Sequence, residues 1–290
     1  MAPDDEVDSA RPLRRVAVPD ARTVLVDDTG PVATGSGGGD PVLVWHHESP
    51  HTGALYEPLL TIARDRGLRM IALTRPGYGG ADPLPGRRVV DAARDAIAVA
   101  DALGIDRMLQ LGGSGGGPHA LAVAALAPER VAGVAVVACV APFEDTPAWW
   151  DGMADDSGLR AAVRGRAARL AHAETEQFDP GSFVDTDWAA LAGEWAGLGE
   201  DLGERAPAFG PVGQVDDDVA FVRPWGIELE AVVAPVVLVQ GRRDRVIPPA
   251  HAELLARRLP HAEVRWIDDA GHIAALAGLA SALDLLLARG

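Results

Sequence analysis

The pentapeptide Gly112-Gly113-Ser114-Gly115-Gly116 follows an apolar run, Met108–Leu111, and opens a helix-prone segment from Gly117. A serine on a tight strand-to-helix turn has strained backbone angles, and side chains two residues before and after it would collide. Gly112 and Gly116 remove those collisions. Ser114 Oγ is then presented above the strand ends as a nucleophile. Such a serine needs a base and a group that orients the base. The apolar run Pro235–Gln240 leads through Gly241-Arg242-Arg243 to Asp244, and the run Glu263–Ile267 leads through Asp268-Asp269-Ala270-Gly271 to His272. Each candidate therefore sits in a loop at the carboxyl end of a strand, in the order Ser114, Asp244, His272. Taken singly, Asp244 reads as a solvated loop carboxylate and His272 as a histidine satisfied by water. Together with Ser114 they make a set of nucleophile, orienting acid and base. A phosphate loop is the competing use of these glycines, but it needs G-x-G-x-x-G after a first strand and an acid about 20 residues on. The nearest downstream acid, Glu129, sits in a loop instead.

Alternating strand-like and helix-like runs position these residues. Arg15–Val18 and Thr23–Val26 suggest an opening antiparallel hairpin. Then come Pro41–His46 (strand), Gly53–Arg66 (helix), Arg69–Leu73 (strand), Val89–Leu103 (helix), Met108–Gly112 (strand), Gly115–Leu126 (helix) and Val131–Val140 (strand). The alternation stops at Pro142 and resumes with Pro235–Gln240 (strand), Pro249–Leu259 (helix), Glu263–Ile267 (strand) and Ile273–Ala288 (helix). Parallel strands joined by crossover helices follow, with an insert interrupting one sheet. The expected division is a loose tail at 1–12, a core formed by 13–142 and 231–290, and a helical insert at 143–230. Within the insert the better helical segments are Leu159–Leu170 and Trp188–Leu198, and Gly35–Gly39 reads as a flexible loop. Five of the seven tryptophans, Trp149, Trp150, Trp188, Trp195 and Trp225, fall in the insert, either as core aromatics or as the ceiling of a pocket.

The 290 residues, 48% apolar and 23% charged, suit a folded, soluble protein with a full core. With 42 acidic and 26 basic residues the net charge is −16, a field that repels phosphate backbones and anionic lipid, so neither nucleic acid nor membrane is an expected partner. The insert alone carries 19 acidic residues against 6 arginines. No lysine occurs, which excludes Schiff-base lysines, pyridoxal phosphate attachment and a P-loop lysine. Asparagine is absent too, which suggests a GC-rich bacterial genome. The single Cys139 lies in an apolar run and reads as a buried small hydrophobe. The polar start of the chain and the lack of an apolar stretch of about 18 residues point to the cytoplasm.

On these residues the chain resembles the α/β-hydrolase superfamily, specifically its capped esterases and iminopeptidase-like members. The likeness runs from about residue 15 to the end and includes Arg75-Pro76-Gly77-Tyr78-Gly79-Gly80, similar to that family's D-R-x-G-x-G-x-S loop. It implies a mostly parallel sheet flanked by helices, the insert as a lid, Ser114 as nucleophile, Asp244 as orienting acid and His272 as general base. It also implies an oxyanion donor in the Gly115 N–H.

Three departures stand out. The family's His-Gly-x-Pro reads here as His47-Glu48-Ser49-Pro50, which leaves the Ser49 N–H as the second oxyanion donor and puts glutamate where glycine belongs. If that position needs positive φ, a non-glycine residue costs on the order of 1 kcal/mol or more. A carboxylate there either is tolerated structurally or acts on substrate. Gly113 stands where relatives often carry a larger residue such as histidine, and Thr74 replaces the loop aspartate. The same stretch, His47-Glu48-Ser49-Pro50-His51, matches H-E-x-x-H, but that zinc signature needs a helix and Pro50 opposes one. No metal or other cofactor is expected.

The reading is a serine hydrolase that cleaves a small to medium, largely uncharged carboxylic ester or lactone through an acyl-enzyme. Glu48, His47, His51, Trp149 and Trp150 are candidate substrate contacts. The alternatives are an iminopeptidase or amidase-like hydrolase, a C–C hydrolase or lyase on the same residues, and a ligand-binding protein without turnover. Oligomeric state is left open.

Overall fold

The computed structural model describes residues 11–31 and 40–289. The expected tail, apart from its last two residues, and the loop Gly35–Gly39 lie outside the described residues. Eight strands form one sheet: β1 (Arg14–Ala17), β2 (Thr23–Asp28), β3 (Val42–His46), β4 (Met70–Thr74), β5 (Met108–Gly113), β6 (Val131–Val137), β7 (Val236–Gly241) and β8 (Ala262–Ile267). Their spatial order is β1-β2-β4-β3-β5-β6-β7-β8, with β1 and β2 antiparallel and β3 to β8 parallel. Every residue of β4, β5 and β7 is buried, the signature of parallel strands covered on both faces. Successive residues of one strand serve opposite cores. Val44, Ile71 and Leu73 pack with α2 (Val89–Ala102), α3 (Gly117–Leu126) and α10 (Pro249–Arg258), while Leu43, Trp45, Met70 and Ala72 pack with α1 (Glu57–Asp65) and α11 (Leu279–Leu287).

Between β6 and β7 the chain is helical: α4 (Pro147–Trp150), α5 (Ser157–Val163), α6 (Arg166–Ala173), α7 (Asp185–Ala192), α8 (Ala196–Glu200) and α9 (Val212–Phe221). The expected helix Leu159–Leu170 is in fact two, because Gly165 adopts φ 108° and turns the chain. Trp188–Leu198 likewise divides at Gly193. Helix α1 starts at Glu57, four residues after its expected beginning at Gly53, and β6 ends at Val137 because Ala138 takes φ 50°. Trp149, Trp150, Trp195 and Trp225 are buried, whereas Trp188 is 44% exposed beside Phe178 and Phe183. Cys139 is buried, and burial pushes its thiol pKa up. Among the described residues no helix is long and apolar enough to cross a membrane.

Candidate active site

Strand β5 delivers its last residues to a turn that cannot continue as sheet. Ser114 adopts φ 49°, a region that side chains other than glycine rarely occupy. A Cβ on Gly112 would lie 2.9 Å from the Gly116 carbonyl, and one on Gly116 would lie 2.0 Å from the His46 carbonyl at the end of β3. The glycines thus let the turn press against the neighbouring strand, and the half-buried Ser114 is left at the sheet's carboxyl edge.

The structure brings the other two candidates to it. His272 Nε2 lies 2.9 Å from Ser114 Oγ, and His272 Nδ1 lies 2.8 Å from Asp244 Oδ2. The loop after β7 fixes Asp244: Oδ1 accepts from the Val246 and Ile247 N–H groups at 2.9 Å each, and Gln240 Nε2 donates to Oδ2 at 3.2 Å. A buried carboxylate with both oxygens engaged cannot rotate away from the imidazole. Burial alone would depress His272, but the bonded Asp244 carboxylate, with Asp187 and Glu48 nearby, outweighs it and holds the imidazole above its usual pKa. Asp187, a wholly buried residue of α7, accepts from the Ile273 and Ala274 N–H groups at 2.9 Å, directly after the histidine.

Ser49 and Gly115 are adjacent: a Cβ on Gly115 would sit 2.5 Å from Ser49 Oγ. Among the described residues neither the Ser49 nor the Gly115 N–H donates to a backbone acceptor outside helix and strand ladders. The loop that carries Ser49 packs against the turn that carries Ser114.

Glu48 does not carry the expected strain. The described non-glycine residues with positive φ are Ala21, Ser114 and Ala138, so position 48 needs no glycine here. Its side chain instead fills the space over Gly113, where a Cβ would lie 2.9 Å from Oε1 and 3.1 Å from Cγ and Cδ. Two departures from the family pattern are thus one: the bulk absent at 113 is supplied from 48. Glu48 Oε1 accepts from Tyr56 Oη at 2.8 Å, while Oε2 is buried without a partner among the described residues. Burial and this carboxylate push the Tyr56 phenol well above its usual range, which keeps the donor protonated.

The remaining candidate contacts are placed in structural roles. His47 is fully buried, with Nδ1 2.6 Å from the Glu48 carbonyl and Nε2 accepting from the Arg75 N–H at 3.2 Å. His51 Nδ1 accepts from the Gly53 N–H at 3.0 Å, and its Nε2 lies 3.2 Å from Asp201, which also accepts from the Thr52 N–H and hydroxyl at 2.7 Å each. Residues 47–53 form no helix. Trp149 has no exposed surface; it donates to the Ala141 carbonyl at 3.2 Å and packs on His251 and Phe143. Trp150 stacks beneath Arg160, 4.2 Å from its guanidinium.

Sequence reasoning missed the partners of Asp216-Asp217-Asp218 in α9. Consecutive helical residues point about 100° apart, and these three reach three different targets: Arg166, the Arg75/Arg87 pair, and Arg169. The signal was present as three adjacent acids inside a helix, VGQVDDDVAF, whose other residues are apolar except Gln214, since a desolvated carboxylate requires a partner. The insert's charge is accordingly not all an open field, because Asp187, Asp201, Asp216 and Asp217 are buried and bonded.

Residues 41–279 match the family model described as alpha/beta hydrolase fold. Among curated relatives, a 2-hydroxy-6-oxononadienedioate/2-hydroxy-6-oxononatrienedioate hydrolase from Dechloromonas aromatica is 26% identical over 74% of this chain and 72% of its own. A dihydrolipoyllysine-residue acetyltransferase component of the acetoin cleaving system of Pseudomonas putida is 27% identical over 71% of this chain and 51% of its own. The chain spans about half the length, or less, of the curated relatives it first matches. Among solved structures, a bromoperoxidase from Bacillus anthracis superposes with TM-score 0.71 at 23% identity, covering 96% of this chain and all of that one. With most of its length matched by that family model, the chain belongs to the α/β-hydrolase fold family.

Proposed function

We propose that this protein is a serine hydrolase of small to medium, largely uncharged carboxylic esters or lactones. His272 Nε2 takes the Ser114 proton as Oγ attacks the carbonyl carbon, and the Gly115 and Ser49 N–H groups hold the resulting O⁻. Collapse expels the alcohol, which leaves with the proton from His272. Water, deprotonated by the same imidazole, then releases the acid and restores Ser114. Asp244 orients the ring and stabilises its cationic form. The helices between β6 and β7 act as a cap over the sheet edge, and Glu48 lies beside the acyl site. The observation that carries this reading is the continuous chain of bonds, 2.9 and 2.8 Å, from a strained serine through His272 to a fully engaged Asp244.

The test is hydrolysis of p-nitrophenyl acetate and butyrate, with fluorophosphonate labelling read by mass spectrometry. Turnover abolished in Ser114→Ala and a label on Ser114 support the proposal; equal rates in both proteins reject it. A second reading, C–C bond hydrolysis on the same residues, is favoured by the Dechloromonas aromatica relative. It predicts turnover of 2-hydroxy-6-oxononadienedioate and negligible turnover of the esters.

A further inference from the structure

We propose that Asp217, carried by the inserted helix α9, is a positioning residue that sets the direction of the Ser49 N–H and so the strength of the oxyanion site. The inference rests on the serine hydrolase reading above. Asp217 has no exposed surface, and one of its oxygens gathers the loop beside Ser114. Oδ2 accepts from Ser49 Oγ at 2.8 Å, from Arg75 Nε at 3.1 Å and Nη2 at 2.8 Å, and from Tyr78 Oη at 2.7 Å. Oδ1 meets Arg87 Nη1 at 2.6 Å and His119 Nε2 at 3.2 Å. Burial would raise this carboxyl, but Arg75 and Arg87 hold it well below the usual range, so it is anionic and fixes both guanidinium groups.

Arg75 passes that restraint to the backbone. It donates to the His47 carbonyl, to the Glu48 carbonyl at 3.1 Å and to Ser49 Oγ at 2.9 Å. The Glu48 carbonyl and the Ser49 N–H belong to one planar peptide unit, and in a trans unit they point in opposite directions. Capturing the carbonyl on Arg75 therefore fixes the N–H on the opposite side of the peptide, away from the guanidinium. Without Asp217 the guanidinium loses its anchor, and the peptide is free to rotate. The contact is built to be close. A Cβ on Gly213 of α9 would lie 2.6 Å from the Tyr78 ring, and one on Gly77 would lie 3.1 Å from Gly213 Cα. A buried ion cluster of this kind adds little net stability over apolar packing, so its value lies in the geometry it imposes.

The experiment compares wild type, Asp217→Asn, Ser49→Ala and the double variant for kcat and KM on p-nitrophenyl butyrate and for the rate of fluorophosphonate labelling of Ser114. Since losing one oxyanion donor lowers turnover roughly 10²–10³-fold, a misdirected donor in Asp217→Asn should lower kcat and labelling roughly 10–100-fold with KM within about threefold. Ser49→Ala keeps the N–H and removes only its tether, so the loss should be about 3–10-fold, and the double variant should be no worse than Asp217→Asn alone. An Asp217→Asn enzyme within about twofold of wild type, a change confined to KM, or losses that multiply in the double variant would overturn the proposal. If Asp217→Asn does not fold, Ser49→Ala decides, and an unchanged kcat refutes the tether. Failure of wild type to label at Ser114 overturns the hydrolase reading and this inference together, whereas a labelled wild type with an unaffected Asp217→Asn overturns only the inference.

Discussion

Replacing Asp187 by alanine withdraws one carboxylate from three backbone donors. Its Oδ2 accepts from the Val184 N–H at 3.0 Å, closing the first turn of α7, and its Oδ1 accepts from Ile273 and Ala274 at 2.9 Å each, capping the turn that follows His272. The site is sealed: Asp187 is 0% exposed, and a Cβ on Gly271 would lie 2.0 Å from Oδ2. Each buried N–H left without an acceptor costs about 1–3 kcal/mol, so three lost bonds, partly relieved by relaxation and water, should destabilise Asp187→Ala by about 4 kcal/mol. Asn separates the contributions. Its single oxygen can serve Ile273 and Ala274, while its NH₂ faces the Val184 N–H, so one bond is lost and the cost falls to about 1–2 kcal/mol. Urea unfolding of the three proteins measures both values. Because Ile273 directly follows the histidine, Asp187→Ala should also lower kcat by roughly tenfold, a modest displacement on the scale where 1 Å costs about 10². An alanine variant within about 1 kcal/mol of wild type, or an asparagine variant as unstable as alanine, would refute this account of how the His272 loop is held.

Two further changes probe the anomaly at position 48. On the proposed mechanism activity requires neutral His272, whose pKa is raised by Asp244, Asp187 and Glu48; removing one negative charge in Glu48→Gln lowers that pKa, so the acid limb of kcat/KM should move to lower pH. A limb that stays put or moves upward contradicts the electrostatic role. Gly113→Ala puts a methyl group 2.9 Å from a Glu48 oxygen that Tyr56 holds in place, and should cost about 1–3 kcal/mol, most of it recovered when Glu48→Ala is added. Equal costs with and without the glutamate side chain would show that the two positions are independent.

Much of the framework was legible because it is local. The strands read as short apolar runs bounded by glycine and proline, and the structure shifts their ends by only a few residues. The misread helices failed at single backbone positions: Gly165 at φ 108° and Gly193 break what periodicity alone would continue. Trp149 and His47 are candidate contacts by position in the chain, but their burial against His251 and Arg75 depends on distant segments.

By itself the sequence determined the fold class, the turn at Ser114 and the order in which serine, aspartate and histidine reach the sheet's carboxyl edge, since steric limits on the backbone and apolar periodicity act between near neighbours. Only the tertiary structure decided what the charges do. Asp217 meets Arg75 across 142 residues, and Glu48 fills a gap over Gly113 that neither position announces. A carboxylate in a chain looks the same whether it will be solvated or buried. Its partner is chosen by which groups packing removes from water together, and that choice is made only when the helices between β6 and β7 settle on the loops of the core.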